Sequence, residues 1–123
     1  MMGHDQGKLA GERVLVVEDE VLVALDLEAI LNDAGADVEL CRTTQAALDR
    51  LTSAPITVAI LDVRLGTDTV TPVASRLAER GIPFVFYTGQ SACDPILADW
   101  PDRKIVTKPA RSASIVRALA EAR

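Results

Sequence analysis

Val14-Leu15-Val16-Val17-Glu18-Asp19-Glu20 places four consecutive apolar residues directly before three acids. A strand with one wet face alternates polar and apolar residues, so an unbroken short run reads as a central strand covered by helices on both faces. Residues 56–61 read the same way and end on Asp62. Outward from these two segments, β-type runs alternate with helical patterns. The reading gives strand 14–18, helix 20–34, strand 37–41, helix 44–54 and strand 56–61, then helix 71–80, strand 82–87, a short helix 95–100, strand 104–107 and helix 112–122. Gly35 and Gly81 stand where helices end, and Thr43 and Ser112 where helices can be capped. Thr71-Pro72 and Asp94-Pro95 each supply an N-cap followed by Pro in the first turn. Repeated βα units with right-handed crossovers predict an α/β fold, a doubly wound parallel sheet of flavodoxin-like order 2-1-3-4-5 with a crevice between strands 1 and 3.

A chain of 123 residues with 49% hydrophobic and 25% charged residues suits one soluble domain with a real core. Residues 1–12, with Gly3, Gly7 and Gly11 and no periodicity, read as a flexible leader before a domain at 13–123, and His4 reads as a solvated tail residue. A net charge of −5 disfavours direct binding to nucleic acid or an anionic membrane. Cys41 and Cys93 have no metal-ligand or CxxC spacing, and no apolar run approaches the length of a membrane span. The expectation is a reduced, cytoplasmic protein without membrane insertion. No exposed heptad seam demands assembly, so a monomer or weak homodimer is expected.

Chemistry enters where the strands end. Asp19, Asp62, Thr88 and Lys108 each follow an apolar run, and the carboxyl ends of parallel strands converge on one edge of an open sheet. Each residue alone has an ordinary explanation. Acids suit the start of a helix dipole, most clearly for Glu20, Thr88 suits a turn beside Gly89, and a lysine suits a surface. Jointly they fall at the same end of four strands, with charge types that fit phosphoryl transfer. Glu18, Asp19 and Asp62 would repel one another, which calls for a hard divalent cation such as Mg²⁺, with Mn²⁺ as a substitute and Lys108 as a second positive charge. One carboxylate can then act as nucleophile towards phosphorus while Thr88 bonds a phosphoryl oxygen and Gly89 leaves room for it.

The chain resembles the receiver domain of two-component response regulators over about residues 13 to 122. VLVVEDE is similar to the family's acidic pair after its first strand, AILDVRL to the phosphoacceptor strand, FVFYTG to the switch threonine and IVTKP to the Lys-Pro after the last strand. The resemblance implies that Asp62 is the phosphoacceptor, Asp19 a direct Mg²⁺ ligand, Glu18 a neighbour acting through water, and Arg64 a ligand through its backbone carbonyl. It also implies a switch role for Thr88, a phosphate-binding role for Lys108 and a cis peptide before Pro109. More narrowly, PFVFYTG resembles single-domain receivers of alphaproteobacteria with a Phe-Ala-Thr-Gly type motif. By the same resemblance a histidine kinase or phosphotransfer protein supplies the phosphate. With no output domain expected to follow, the signal passes to a downstream protein by contact, or the chain acts as a phosphate sink.

Departures from the family pattern bear on mechanism. Ile105 stands three residues before Lys108 where an aromatic ring is common, and Gly66 stands where Pro is frequent. The interval from Thr88 to Lys108 is short, which predicts a reduced fourth helix. Arg64 and Gln90, each two residues past a site residue, are candidates to modulate phosphate lifetime. Val21, Leu22 and Leu25 repeat at helical spacing near the acids and form the candidate docking surface. A haloacid-dehalogenase-type phosphatase would need a second acid where Arg64 stands, and a nucleotide site would need a Gly-rich turn where Glu18-Asp19-Glu20 stands. The remaining rival is a phosphorylation-independent adaptor.

Overall fold

The computed structural model describes residues 7–89 and 94–123, so His4, Gln90 and Cys93 lie outside the described residues. In chain order the elements begin with β1 (Arg13–Val17), α1 (Val21–Asp33), β2 (Asp37–Cys41), α2 (Thr44–Ser53) and β3 (Val58–Leu61). They continue with β4 (Arg64–Leu65), β5 (Asp68–Thr69), α3 (Thr71–Glu79), β6 (Phe84–Thr88), a 3₁₀ turn (Pro95–Asp99), β7 (Ile105–Thr107) and α4 (Ser112–Ala122). The main sheet is parallel and ordered β2-β1-β3-β6-β7. Because β4 and β5 pair only with each other, this is the expected order 2-1-3-4-5 of the main strands.

Continuous apolar strands are explained by two buried faces. Leu15, Val17, Ala59, Leu61, Phe84 and Phe86 point into a cluster with Leu51 of α2 and Leu77 of α3. Val14, Val16, Val58, Ile60 and Val85 point the other way, against Leu27 and Leu31 of α1 and Ile115 and Leu119 of α4. Period-two alternation therefore sends successive residues to opposite cores, both buried. Among the described residues no helix is long and apolar enough to cross a membrane.

Some local features differ from expectation. Thr43 caps α2 through Ala46 N–H at 3.1 Å, and Asp94 caps the 3₁₀ turn through Ile96 N–H at 3.0 Å. Thr71 and Ser112 are not caps; each is the first helical residue, after Val70 and Arg111, neither of which makes a side-chain cap bond. Val70 is buried and its N–H donates to Val63 O at 3.1 Å, so the chain is already anchored there one residue early. Residues 7–12, expected in the leader, form turns that bury Leu9 completely among the α1 and α4 side chains and tie its N–H to Ala34 O at 2.9 Å. One apolar side chain among glycines carries no periodicity, so its burial leaves no trace in the pattern.

The polar stretch after Asp62 forms the unexpected β4–β5 hairpin. Its two central residues are Gly66, with φ +64°, and Thr67, and only the glycine has positive φ. A two-residue loop with a positive φ at its first position suits the right-handed twist of the hairpin and calls for Gly there. The 3₁₀ turn of five residues stands where a fourth helix was expected to be reduced.

Candidate functional site

Register places the chemistry. Val17 pairs with Leu61 and Thr88 with Thr107, so the next residues, Glu18, Asp62 and Lys108, leave the sheet at one edge. Three backbone bonds extend the ladder past the strands and hold those positions: Glu18 N–H to Cys41 O at 3.0 Å, Asp62 N–H to Val17 O at 2.9 Å and Lys108 N–H to Thr88 O at 2.9 Å. The result is a cleft of about 270 Å³ lined by Asp19, Glu20, Asp62, Arg64, Thr88, Gly89 and Lys108. A wider groove of about 480 Å³ lies over β7 and α4, but it lacks converging acids.

Lys108 Nζ donates to Glu18 Oε1 at 2.7 Å and to Asp62 Oδ2 at 3.3 Å. Glu18 is only 1% exposed, and its Oε2 accepts from Glu20 N–H at 3.1 Å. Burial pushes the Glu18 carboxyl above its ordinary value, the Lys108 bond opposes this, and the charge of Asp62 adds to it. For Lys108, burial by itself would lower the ammonium, but Glu18 and Asp62 outweigh it and hold the group above its ordinary value. Lys108 thus opposes protonation of Glu18 without outweighing burial, while the two acids hold the proton on Lys108.

Carboxylate oxygens of Glu18, Asp19 and Asp62 lie within 4.8 Å of one another. Like charges at that distance repel by about 3 kcal/mol per pair at an effective dielectric of about 20. Ionised together, the three would carry two negative charges beyond the ammonium of Lys108, and their hard oxygens form a donor set that fits a small divalent cation. Thr88 is buried at the end of β6, and Lys108–Pro109 is a cis peptide. A Cβ added at Gly89 would meet the Lys108 Cδ at 4.0 Å, an ordinary contact, so protein atoms leave room beside it.

Other expected residues take no part in this cluster of acids and ammonium. The Arg64 guanidinium pairs with Asp94, and Ile105 packs partly buried against the core. Val21, Leu22 and Leu25 are exposed by 45%, 81% and 50%, an apolar patch on the first turns of α1, directly after the acids. Sequence reasoning missed three contributors. Arg42 Nη2 donates to Asp19 O at 3.2 Å, the Tyr87 ring centroid lies 5.4 Å from Lys108 Nζ, and Asp94 holds Arg64. The only signal near Asp94 was its capping position before Pro95; its partner lies 30 residues away.

The family model for the response regulator receiver domain matches residues 14–120. The chain belongs to the response regulator receiver family. Members of that family are phosphoacceptors of two-component systems. This receiver is similar in structure to a response regulator receiver protein from Sinorhizobium medicae WSM419, with TM-score 0.77 and 28% identity over 89% of this chain and 92% of that one. It shares its fold with a response regulator from Burkholderia pseudomallei containing a phosphorylated aspartic acid, a calcium ion and citrate, with TM-score 0.78 and 22% identity over 88% and 66% of the two chains. The fold also matches Thermotoga maritima TrrA in complex with Mg²⁺-BeF, with TM-score 0.73 and 21% identity over 88% and 99%. Among curated proteins none matches the receiver.

Proposed function

We propose that the receiver takes one phosphoryl group on Asp62 from a histidine kinase or a histidine phosphotransfer protein. The observation that carries this reading is Lys108 Nζ bridging Glu18 and Asp62 beside Asp19, an ammonium and three carboxylates around one cleft. An ionised Asp62 oxygen forms the new bond to phosphorus while the bond from phosphorus to the donor's imidazole nitrogen breaks, its electron pair leaving with the imidazole. Lys108 faces the charge that grows on the phosphoryl oxygens, and the Thr88 hydroxyl supplies a hydrogen bond to one of them. Glu18, Asp19, Asp62 and the Arg64 carbonyl would hold Mg²⁺. Bound there, the ion neutralises the acids and the phosphoryl oxygens. The related structures with Mg²⁺-BeF and with a phosphorylated aspartate support this assignment by their shared fold.

The phosphodonor docks on Val21, Leu22 and Leu25, because that exposed apolar patch begins next to the acceptor cleft. The output is protein contact or consumption of phosphate. Acetyl phosphate with Mg²⁺ is expected to add one phosphoryl group to the intact mass, and a chelator is expected to abolish the gain. No gain, together with no response to beryllofluoride, would favour a phosphorylation-independent adaptor. Ile105, in place of an aromatic ring, is the residue that keeps that second reading in view.

A further inference from the structure

Arg64 lines the acceptor cleft, yet its bonds go elsewhere: Nε donates to Asp94 Oδ2 at 3.1 Å and Nη2 to Asp94 Oδ1 at 3.2 Å. The pair is two-pronged, the geometry in which a guanidinium binds carboxylate or phosphate best. Its members are unequally held. The Asp94 side chain is 4% exposed and also accepts from Ile96 N–H at the start of the 3₁₀ turn, whereas the Arg64 side chain is 51% exposed. Asp94 is therefore the fixed partner and Arg64 the one free to swing.

Resting on the reading that Asp62 is phosphorylated, we propose that Asp94 is a positioning residue that holds Arg64 off the acceptor, and that the phosphoryl group on Asp62 takes the guanidinium over. A phosphoryl group offers three acceptor oxygens and a charge of about −1.5 to −2, against −1 for Asp94. Arg64 sits two residues beyond Asp62, at the first position of β4, and both residues line the same cleft. The consequence falls on the 3₁₀ turn, which loses the guanidinium that braces its cap. That turn ends at Trp100, which packs edge-on against Phe84 with ring centroids 5.5 Å apart. A connection thus runs from acceptor to turn without an aromatic ring at Ile105.

Two acceptors competing for one guanidinium make a signed prediction by linkage. The probe is beryllofluoride with Mg²⁺, titrated by calorimetry into the wild type, Asp94→Asn, Arg64→Gln and the double variant. Asn at 94 keeps an oxygen for Ile96 N–H but loses the charge that holds Arg64. Asp94→Asn is expected to bind about 3–10-fold tighter and Arg64→Gln weaker by a similar factor, as suits a partly exposed ion pair worth about 1 kcal/mol. The double variant should match Arg64→Gln. An ion pair with a purely structural role would move both single variants in the same direction, and that result, or no change in either, overturns the proposal. Emission of Trp100, the sole tryptophan, is expected to shift on binding in the wild type, and a silent Trp100 would refute release of the turn. Wild type that binds no beryllofluoride and gains no phosphoryl mass overturns the phosphoacceptor reading and this inference together. Binding without the opposed signs overturns this inference alone.

Discussion

Asp62→Asn is expected to give a folded protein that gains no phosphoryl mass from acetyl phosphate under conditions in which the wild type gains one group. Asn has nearly the same shape as Asp, but its amide is no nucleophile towards phosphorus, so the loss is complete rather than graded. Stability should change by no more than about 1 kcal/mol, because two effects oppose one another. The Lys108 bond at 3.3 Å loses its charge, while Glu18 and Asp19 lose a like-charged neighbour within 4.8 Å. Intact mass and a denaturant melt check both halves. A variant that still gains phosphate on a folded chain would move the acceptor away from Asp62.

Lys108→Met carries the second large effect, and it acts on rate and on stability. With the ammonium gone, the growing phosphoryl charge loses the cation that Lys108 presents in the cleft, and the rate of phosphorylation by acetyl phosphate should fall by about 10²–10³-fold. On stability, Met leaves Glu18 buried without its cation, and breaking a buried pair from one side costs about 3 kcal/mol at neutral pH. The pH dependence follows from Glu18. Its folded carboxyl already lies above the ordinary value through burial, and losing Lys108 removes the main opposing influence, so it rises further. Between the unfolded and folded values the folded state holds a proton that the unfolded state lacks, and stability falls as pH rises through that window. The deficit of Lys108→Met should therefore shrink on acidification towards the unfolded carboxylate range and be largest above the folded value. Denaturant melts across pH check this. A deficit that grew on acidification would contradict the place given to Glu18.

Legibility in the sequence tracked the range of the interactions involved. Strands β1 and β3 were readable because burial on both faces writes itself as an unbroken apolar run, and the sheet order followed from crossover handedness and unit length. Glu18, Asp62, Thr88 and Lys108 were readable because parallel strands all end at one edge, so position after a strand already implies proximity. The caps at Thr43 and Asp94 depend on neighbours two or three residues away and were readable, whereas Thr71 and Ser112 were misplaced by one residue because a buried Val70 and the Arg111 backbone set those starts. Leu9 and the Arg64–Asp94 pair depend on partners 25 and 30 residues away, and no local pattern encodes them. The hairpin around Gly66 was hidden for another reason: two-residue strands are too short to show a period.

The carboxylate of Asp62, among its acidic neighbours and opposite Lys108, is expected to be the group that carries phosphate. The most direct measurement is chemical mapping: the protein phosphorylated with acetyl phosphate and Mg²⁺ is reduced with borohydride, which converts an aspartyl phosphate to homoserine, then digested and sequenced by mass spectrometry. Homoserine is expected at position 62 and unmodified Asp at position 19. Homoserine elsewhere, or phosphate that survives reduction on a hydroxyl such as that of Thr88, would contradict it.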